Sequence, residues 1–94
     1  MSRLTLRIKQ VYFDQIRTGE KTYELRSNTE YYRRMLEGRE YSQLMLHYQR
    51  PQRLYAKIKS IRLIDTPAGI DRKVITTDKC WRIDVSNPRF RYEG

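Results

Sequence analysis

"LRIKQVYFDQIRTGEKTYELR", Leu6 to Arg26, decides the fold, because the spacing of its apolar residues changes twice within 21 residues. Starting just upstream, Leu4, Leu6 and Ile8 fall on one face and Arg3, Thr5, Arg7 and Lys9 on the other, the period of a half-buried strand. From Gln10 the spacing lengthens. Tyr12 and Ile16 stand four apart and Phe13 and Ile16 three apart, which predicts a helix, and Gly19 is placed to end it in the left-handed conformation. Alternation returns in "KTYELR", with Tyr23 and Leu25 on one face and Thr22, Glu24 and Arg26 on the other. The apolar pair is expected to enter the core. The polar trio is then left to face water or a wet cavity, and any chemistry belongs on that face.

Working outward, "SNTEYYRRMLEG" predicts a second short helix, capped by Asn28 or Thr29 and stopped by Gly38. Its helical pairs are Tyr31 with Met35 and Tyr32 with Leu36, and Glu30, Arg33, Arg34 and Glu37 form a solvated face. "REYSQLMLHYQ" reads as a strand with Leu44, Leu46 and Tyr48 on one side and Gln43, Met45 and His47 on the other, ended by Pro51. In "RLYAKIKSIRLI" the apolar parity switches from Leu54, Ala56 and Ile58 to Ile61 and Leu63, which a bulge near Ser60 explains. "DTPAGID" is a turn-rich connector, and the stretch on to Thr77 is ambiguous. "CWRIDV" places Trp81, Ile83 and Val85 on one face. Asn87 and Pro88 are expected to turn the chain into a last short strand, "RFRY", with Phe90 and Tyr92 inside. The order is strand, helix, strand, helix and then mostly strands, an α+β pattern of five or six strands with two short helices, curled into a small sheet or barrel. A dinucleotide-binding parallel sheet needs more helices and a glycine-rich first turn.

The chain has 94 residues, the size of one compact domain, so residues 1–94 are expected to fold as a unit. Hydrophobic residues supply 38% and charged residues 33%, enough apolar material for a core with little to spare. The single cysteine, Cys80, makes no internal disulfide, and no His and Cys spacing suits zinc, so neither a metal nor a cofactor is expected. There is no apolar run of bilayer-spanning length and no signal-peptide core, which points to a cytoplasmic protein with no membrane role. Net charge is +9, with 20 Lys and Arg against 11 Asp and Glu. Such an excess creates a positive field whose commonest target is a phosphate-rich partner, and arginine, the majority cation here, also stacks on bases.

Gly19, Lys21, Glu24 and Arg26 stand at G-x-K-x-x-E-x-R spacing. Taken alone, they also describe an ion-pair ladder on an exposed strand, worth less than about 1 kcal/mol. Taken with the strand and the glycine-terminated helix before them, Leu6 to Arg26 resembles the start of an ASCH domain, in the PUA-like superfamily. The resemblance implies a pseudo-β-barrel of five to six strands whose motif residues line a cleft, in a superfamily of RNA-binding and RNA-modification modules. It assigns Lys21, Glu24 and Arg26 to that cleft and makes Gly19 the turn that sets Lys21 in place. Relatives include enzymes that remove the acetyl group from N4-acetylcytidine and a member described as a ribonuclease. The deacetylase branch resembles G-x-K-x-x-T, with a threonine nucleophile where this chain carries Glu24. A carboxylate serves as base or acceptor but does not replace a hydroxyl in acyl transfer without a change of mechanism. Thr22, on the same strand face, is the remaining candidate hydroxyl.

Three functions follow as expectations. The first is a binding module that takes RNA or a modified nucleotide through Gly19, Lys21, Glu24 and Arg26, with Tyr23, Tyr48 and Tyr55 as candidate stacking partners. Arg50, Arg53, Tyr55, Lys57, Lys59 and Arg62 would carry the strand itself, since cations interleaved with an aromatic suit single-stranded nucleic acid; a solvated strand face reads equally well. Arg89 and Arg91 extend this set if the fold brings them near. The second is a hydrolase, with Lys21 as base or electrostatic stabiliser and Glu24 as proton carrier. The third is a regulatory factor using the basic surface against an acidic protein partner. His47, the lone histidine, reads as a hydrogen-bonded edge residue or a base. Cys80 reads as a core residue, since nothing near it activates a thiol.

Overall fold

The computed structural model describes residues 2–93. The element order is β1 (Arg3–Arg7), α1 (Gln10–Arg17), β2 (Tyr23–Ser27), α2 (Glu30–Leu36), β3 (Gln43–His47), β4 (Gln52–Asp65) and β5 (Lys79–Tyr92). The five strands make one curled, half-barrel sheet in the order β1-β3-β4-β5-β2. β1 runs parallel to β3, and every other neighbouring pair is antiparallel. This is the small α+β curled sheet that the sequence pattern implies, and it agrees with the pseudo-barrel that the resemblance leads one to expect.

Alternation sets the inner face. Leu4, Leu6, Leu44, Leu46, Leu54, Ala56, Ile83 and Val85 are all buried there. α1 is pressed onto the same core by Phe13 and Ile16, both fully buried, and α2 by Leu36. α1 stops as its sequence predicts: the Thr18 N–H bonds Asp14 O, and Gly19 takes φ 83°, a conformation that costs an L side chain about 1–2 kcal/mol. Thr29 is the α2 cap, its hydroxyl accepting from Tyr32 N.

β4 and β5 are each 14 residues long, and two irregularities let them bend. Between the pairs Ile58–Val85 and Ser60–Asp84, Lys59 has no partner, which is the bulge expected near Ser60. Beyond it Ile61 packs on the core, but Leu63 is 43% exposed, so only half of the second apolar pair turns inward. The second irregularity corrects the expected Asn87–Pro88 turn. Between Tyr55–Arg89 and Lys57–Ser86, Ala56 faces both Asn87 and Pro88, and Asn87 absorbs the extra residue at φ 53°. The chain is kinked there without reversing, so "RFRY" continues β5, and the described residues form five strands. Tyr92 is 73% exposed, not inside. β3 also begins later than expected, at Gln43.

The ambiguous stretch between β4 and β5 forms an irregular arch over the end of β2. A small second core of Leu25, Ile75 and Cys80 seats it, with Tyr23, Ile64 and Ile70 packed around. Side chains pin its return: Asn28 N–H donates to Thr77 Oγ1 at 2.8 Å and Thr76 N–H to Ser27 Oγ at 3.0 Å, while Thr66 Oγ1 donates to Thr77 O at 2.7 Å.

Candidate ligand-binding cleft

β2 is an edge strand, yet neighbouring Glu24 and Leu25 are both buried, at 4% and 9% exposure. Leu25 is covered by the arch through Ile75, and Glu24 sits at the floor of a cleft of about 450 Å³. That volume falls within the range of about 300–1,000 Å³ usual for small-molecule sites. Tyr12 and Lys21 line one wall and Tyr32 another, while Ile70, Asp71 and Val74 of the arch close the far side.

The floor is an ion triad. Glu24 Oε2 accepts from Arg26 Nη2 at 2.8 Å and Glu24 Oε1 lies 3.5 Å from Lys21 Nζ. Side-chain exposure is 6% for Glu24, 14% for Arg26 and 19% for Lys21, so the three do not form the exposed ladder that spacing alone allows. The Leu25 N–H also donates to Glu24 Oε1, at 3.1 Å. Arg26 is braced further: Nη1 donates to Tyr32 Oη and Nη2 to the Arg7 carbonyl, both at 2.8 Å. Burial opposes the charge on Arg26, but Glu24 and the Tyr32 hydroxyl outweigh it and hold the guanidinium above its ordinary pKa. Lys21 Nζ stands 4.6 Å from the Tyr12 ring centre and 5.4 Å from that of Tyr23, both within cation–π range.

Hydrogen-bonding capacity remains after these contacts. A carboxylate offers about four acceptor positions, and Glu24 uses three. Lys21 spends one N–H on Glu24, and the Tyr32 hydroxyl, having accepted from Arg26, keeps its own proton to donate. The floor can therefore accept one hydrogen bond and donate several. Two aromatic rings, Tyr12 and Tyr32, stand beside it, each with a cation against one face.

Several expected site residues lie elsewhere. Gly19 and Thr22 border a separate hollow with Lys59, Asp84 and Asn87, reached from the other side of Lys21. Thr22 is exposed and lines that hollow rather than the cleft over Glu24. Tyr48 is not a cleft residue either: its ring meets Phe13 edge-on at 4.8 Å and its hydroxyl donates to Gln52 Oε1 at 2.6 Å. Tyr23 has two cations against its ring, Arg82 at 4.1 Å and Lys21 at 5.4 Å. The six proposed strand-binding residues divide into groups. Arg53, Tyr55 and Lys57 share the outer sheet face, Lys59 sits in the bulge, Arg62 bonds Asp84 at 3.3 Å, and Arg50 lies in the loop before β4. Cys80 is buried in the small core.

Tyr12, Tyr32 and the arch are site components that the sequence reading misses. Tyr12 and Tyr32 read as helix packing residues, and their helical spacing is right; what escapes periodicity is that each turns its ring toward β2. The arch has no period at all, and only its apolar Ile70, Val74 and Ile75 between turn residues hint that it covers something.

Among the described residues, no helix is long and apolar enough to cross a membrane. The ASCH domain family model matches residues 6–79, from the end of β1 to the first residue of β5, and so every wall of the cleft. No curated protein and no solved structure matches the chain. With most of its length matched and the G-x-K-x-x-E-x-R residues gathered on one floor, the chain belongs to the ASCH domain family.

Proposed function

We propose that this protein is an RNA- or nucleotide-binding module whose cleft receives a single base or modified nucleoside. The observation that carries the reading is the Lys21–Glu24–Arg26 triad, with Glu24 buried and the two cations half-buried, on the floor of a 450 Å³ cleft walled by Tyr12 and Tyr32. RNA is read chiefly through unpaired bases that stack on aromatic rings and expose their edges. Here the spare acceptor of Glu24 suits an exocyclic N–H, and the Lys21 and Tyr32 donors suit ring nitrogens and carbonyl oxygens. The braced geometry is already set before a ligand enters, which lowers the ordering cost of binding. Family membership adds consistency with RNA-related roles.

Calorimetric titration with cytidine, N4-acetylcytidine, adenosine and uridine tests this. Saturable binding of at least one of them is expected, weakened at least about tenfold, or 1.4 kcal/mol, by Arg26→Ala. Arg33→Ala, on the exposed side of α2, serves as the control. No nucleoside binding at millimolar concentration, or equal binding by both variants, rejects the cleft as a base site. A hydrolase on an acylated nucleoside would keep Lys21 and Glu24 but would need a nucleophile other than Thr22. Incubation with N4-acetylcytidine distinguishes turnover from binding, with Lys21→Ala as the reference.

A further inference from the structure

Strand register gathers cations on the outer face of the sheet, where sequence order scatters them. Arg3 pairs with Gln43 and Gln43 with Lys57, making one row. Thr5, Met45, Tyr55 and Arg89 make the next. In the third, Arg7 pairs with His47, and Arg53 pairs with Arg91. The Leu46–Leu54 pair puts His47 and Arg53 at adjoining steps, so this row crosses four strands. None of the six cations takes part in an ion pair among the described residues. Among these three rows Glu93 is bonded, accepting from the Tyr55 hydroxyl at 2.9 Å, while Asp84 farther along the face is already held by Ser60 and Arg62.

We propose that this outer face is a second binding surface, one that carries the phosphate backbone of single-stranded RNA across β1, β3, β4 and the end of β5. Only the choice of RNA as the polymer rests on the reading of the cleft; the surface itself stands without it. Uncompensated guanidinium groups so close together repel, and a chain of phosphates relieves that repulsion while releasing counterions. The half-exposed Tyr55 ring, with the Arg3 guanidinium 5.8 Å from its centre, and the His47 imidazole offer stacking surface between the charges. A hollow of about 690 Å³ bordered by Arg3, Tyr55, Lys57 and Arg89 gives the strand a seat at one end. At the other end Arg7 joins the two sites, because its carbonyl braces Arg26 in the cleft while its exposed side chain belongs to the sheet face.

His47 reports on the surface. It faces Arg7 from β1, Arg53 from β4 and Arg50 from the loop between β3 and β4, and burial together with those three cations holds its pKa below the ordinary value. A phosphate seated among them offsets part of that positive charge and so favours the protonated imidazole. As the chain has one histidine, its imidazole signal is unambiguous.

The experiment titrates oligouridylate of about ten nucleotides into the full chain, following the His47 proton resonance across pH and affinity across salt. The expected result is an upward move of the His47 pKa on binding. Arg53→Gln with Arg91→Gln should lower affinity at least tenfold and flatten the slope of log K against log salt by about 0.7 for each phosphate no longer neutralised. Both positions are on the surface, and an unchanged near-ultraviolet circular dichroism spectrum establishes folding. An unmoved His47 pKa, or an unchanged slope in the double variant, overturns the proposal. So does equal binding of polyglutamate of matched charge, which would make the partner an acidic protein. Arg26→Ala separates the two sites: loss of nucleoside binding with intact oligonucleotide binding leaves this surface standing, whatever becomes of the cleft.

Discussion

Replacing Glu24 with alanine would strip the carboxylate from two cations and leave Arg26, at 14% exposure, without its charged partner. Breaking a buried pair from one side typically costs about 3–5 kcal/mol. The lower end, about 3 kcal/mol, is expected here because Lys21 can turn outward to solvent, and urea denaturation reads it. Tyr32→Phe is the milder probe: it removes the acceptor of Arg26 Nη1 while keeping the ring, and should cost about 1 kcal/mol with a larger proportional loss of ligand affinity. His47 gives the pH signature. Its folded pKa lies below the ordinary 6.5, so as pH falls past 6.5 the unfolded chain takes up the proton first. Stability from this group is complete above that point and declines as pH drops toward the folded value. In His47→Gln the slope of denaturation midpoint against pH below 6.5 should be shallower.

Gly19, α1 and β2 act as one positioning unit. Gly19 at φ 83° lets the chain turn so that Lys21 N–H reaches Gln15 O at 3.0 Å, which fixes the lysine at the cleft wall. Space is not the constraint, since a Cβ there would meet nothing within 4 Å. Gly19→Ala is therefore expected to cost about 1 kcal/mol through backbone conformation alone, seen as a lower thermal midpoint together with weaker nucleoside binding. At this scale the sequence is informative where a period exists. β1, α1, β2 and β3 emerge from the spacing of Leu4, Leu6, Phe13, Ile16, Leu25, Leu44 and Leu46, and the Lys59 bulge from a parity switch. Asn87 misleads because Asn-Pro is a turn signal, and only pairing with β4 converts it into a kink. Thr22 misleads because strand alternation fixes a face but not where that face stops being enclosed: the cleft begins at Glu24 and Arg26. Tyr48, half-buried, packs against the core as its parity with Leu44 and Leu46 predicts, and it does not line the cleft.

Across the whole molecule, a net charge of +9 is distributed unevenly. Most ion pairs gather around β2, the start of β5, the far half of β4 and the arch, while the outer face of β1, β3 and residues 52–57 of β4 has none among the described residues. Raising sodium chloride from about 50 mM to about 300 mM shortens the screening length below 10 Å and relieves that repulsion. The thermal midpoint should rise by a few degrees, since 1 kcal/mol moves a domain of this size by about 4–8 °C. A midpoint that fell with salt would mean that the favourable pairs dominate instead.

The arch over β2 carries no strand register and is fastened at its return by Ser27, Asn28, Thr76 and Thr77. Rewriting residues 69–74 would then recode what the cleft admits while the ladder beneath stays intact. Platform and reader would then be separable, and a graft over these six residues is expected to change which ligand the cleft admits.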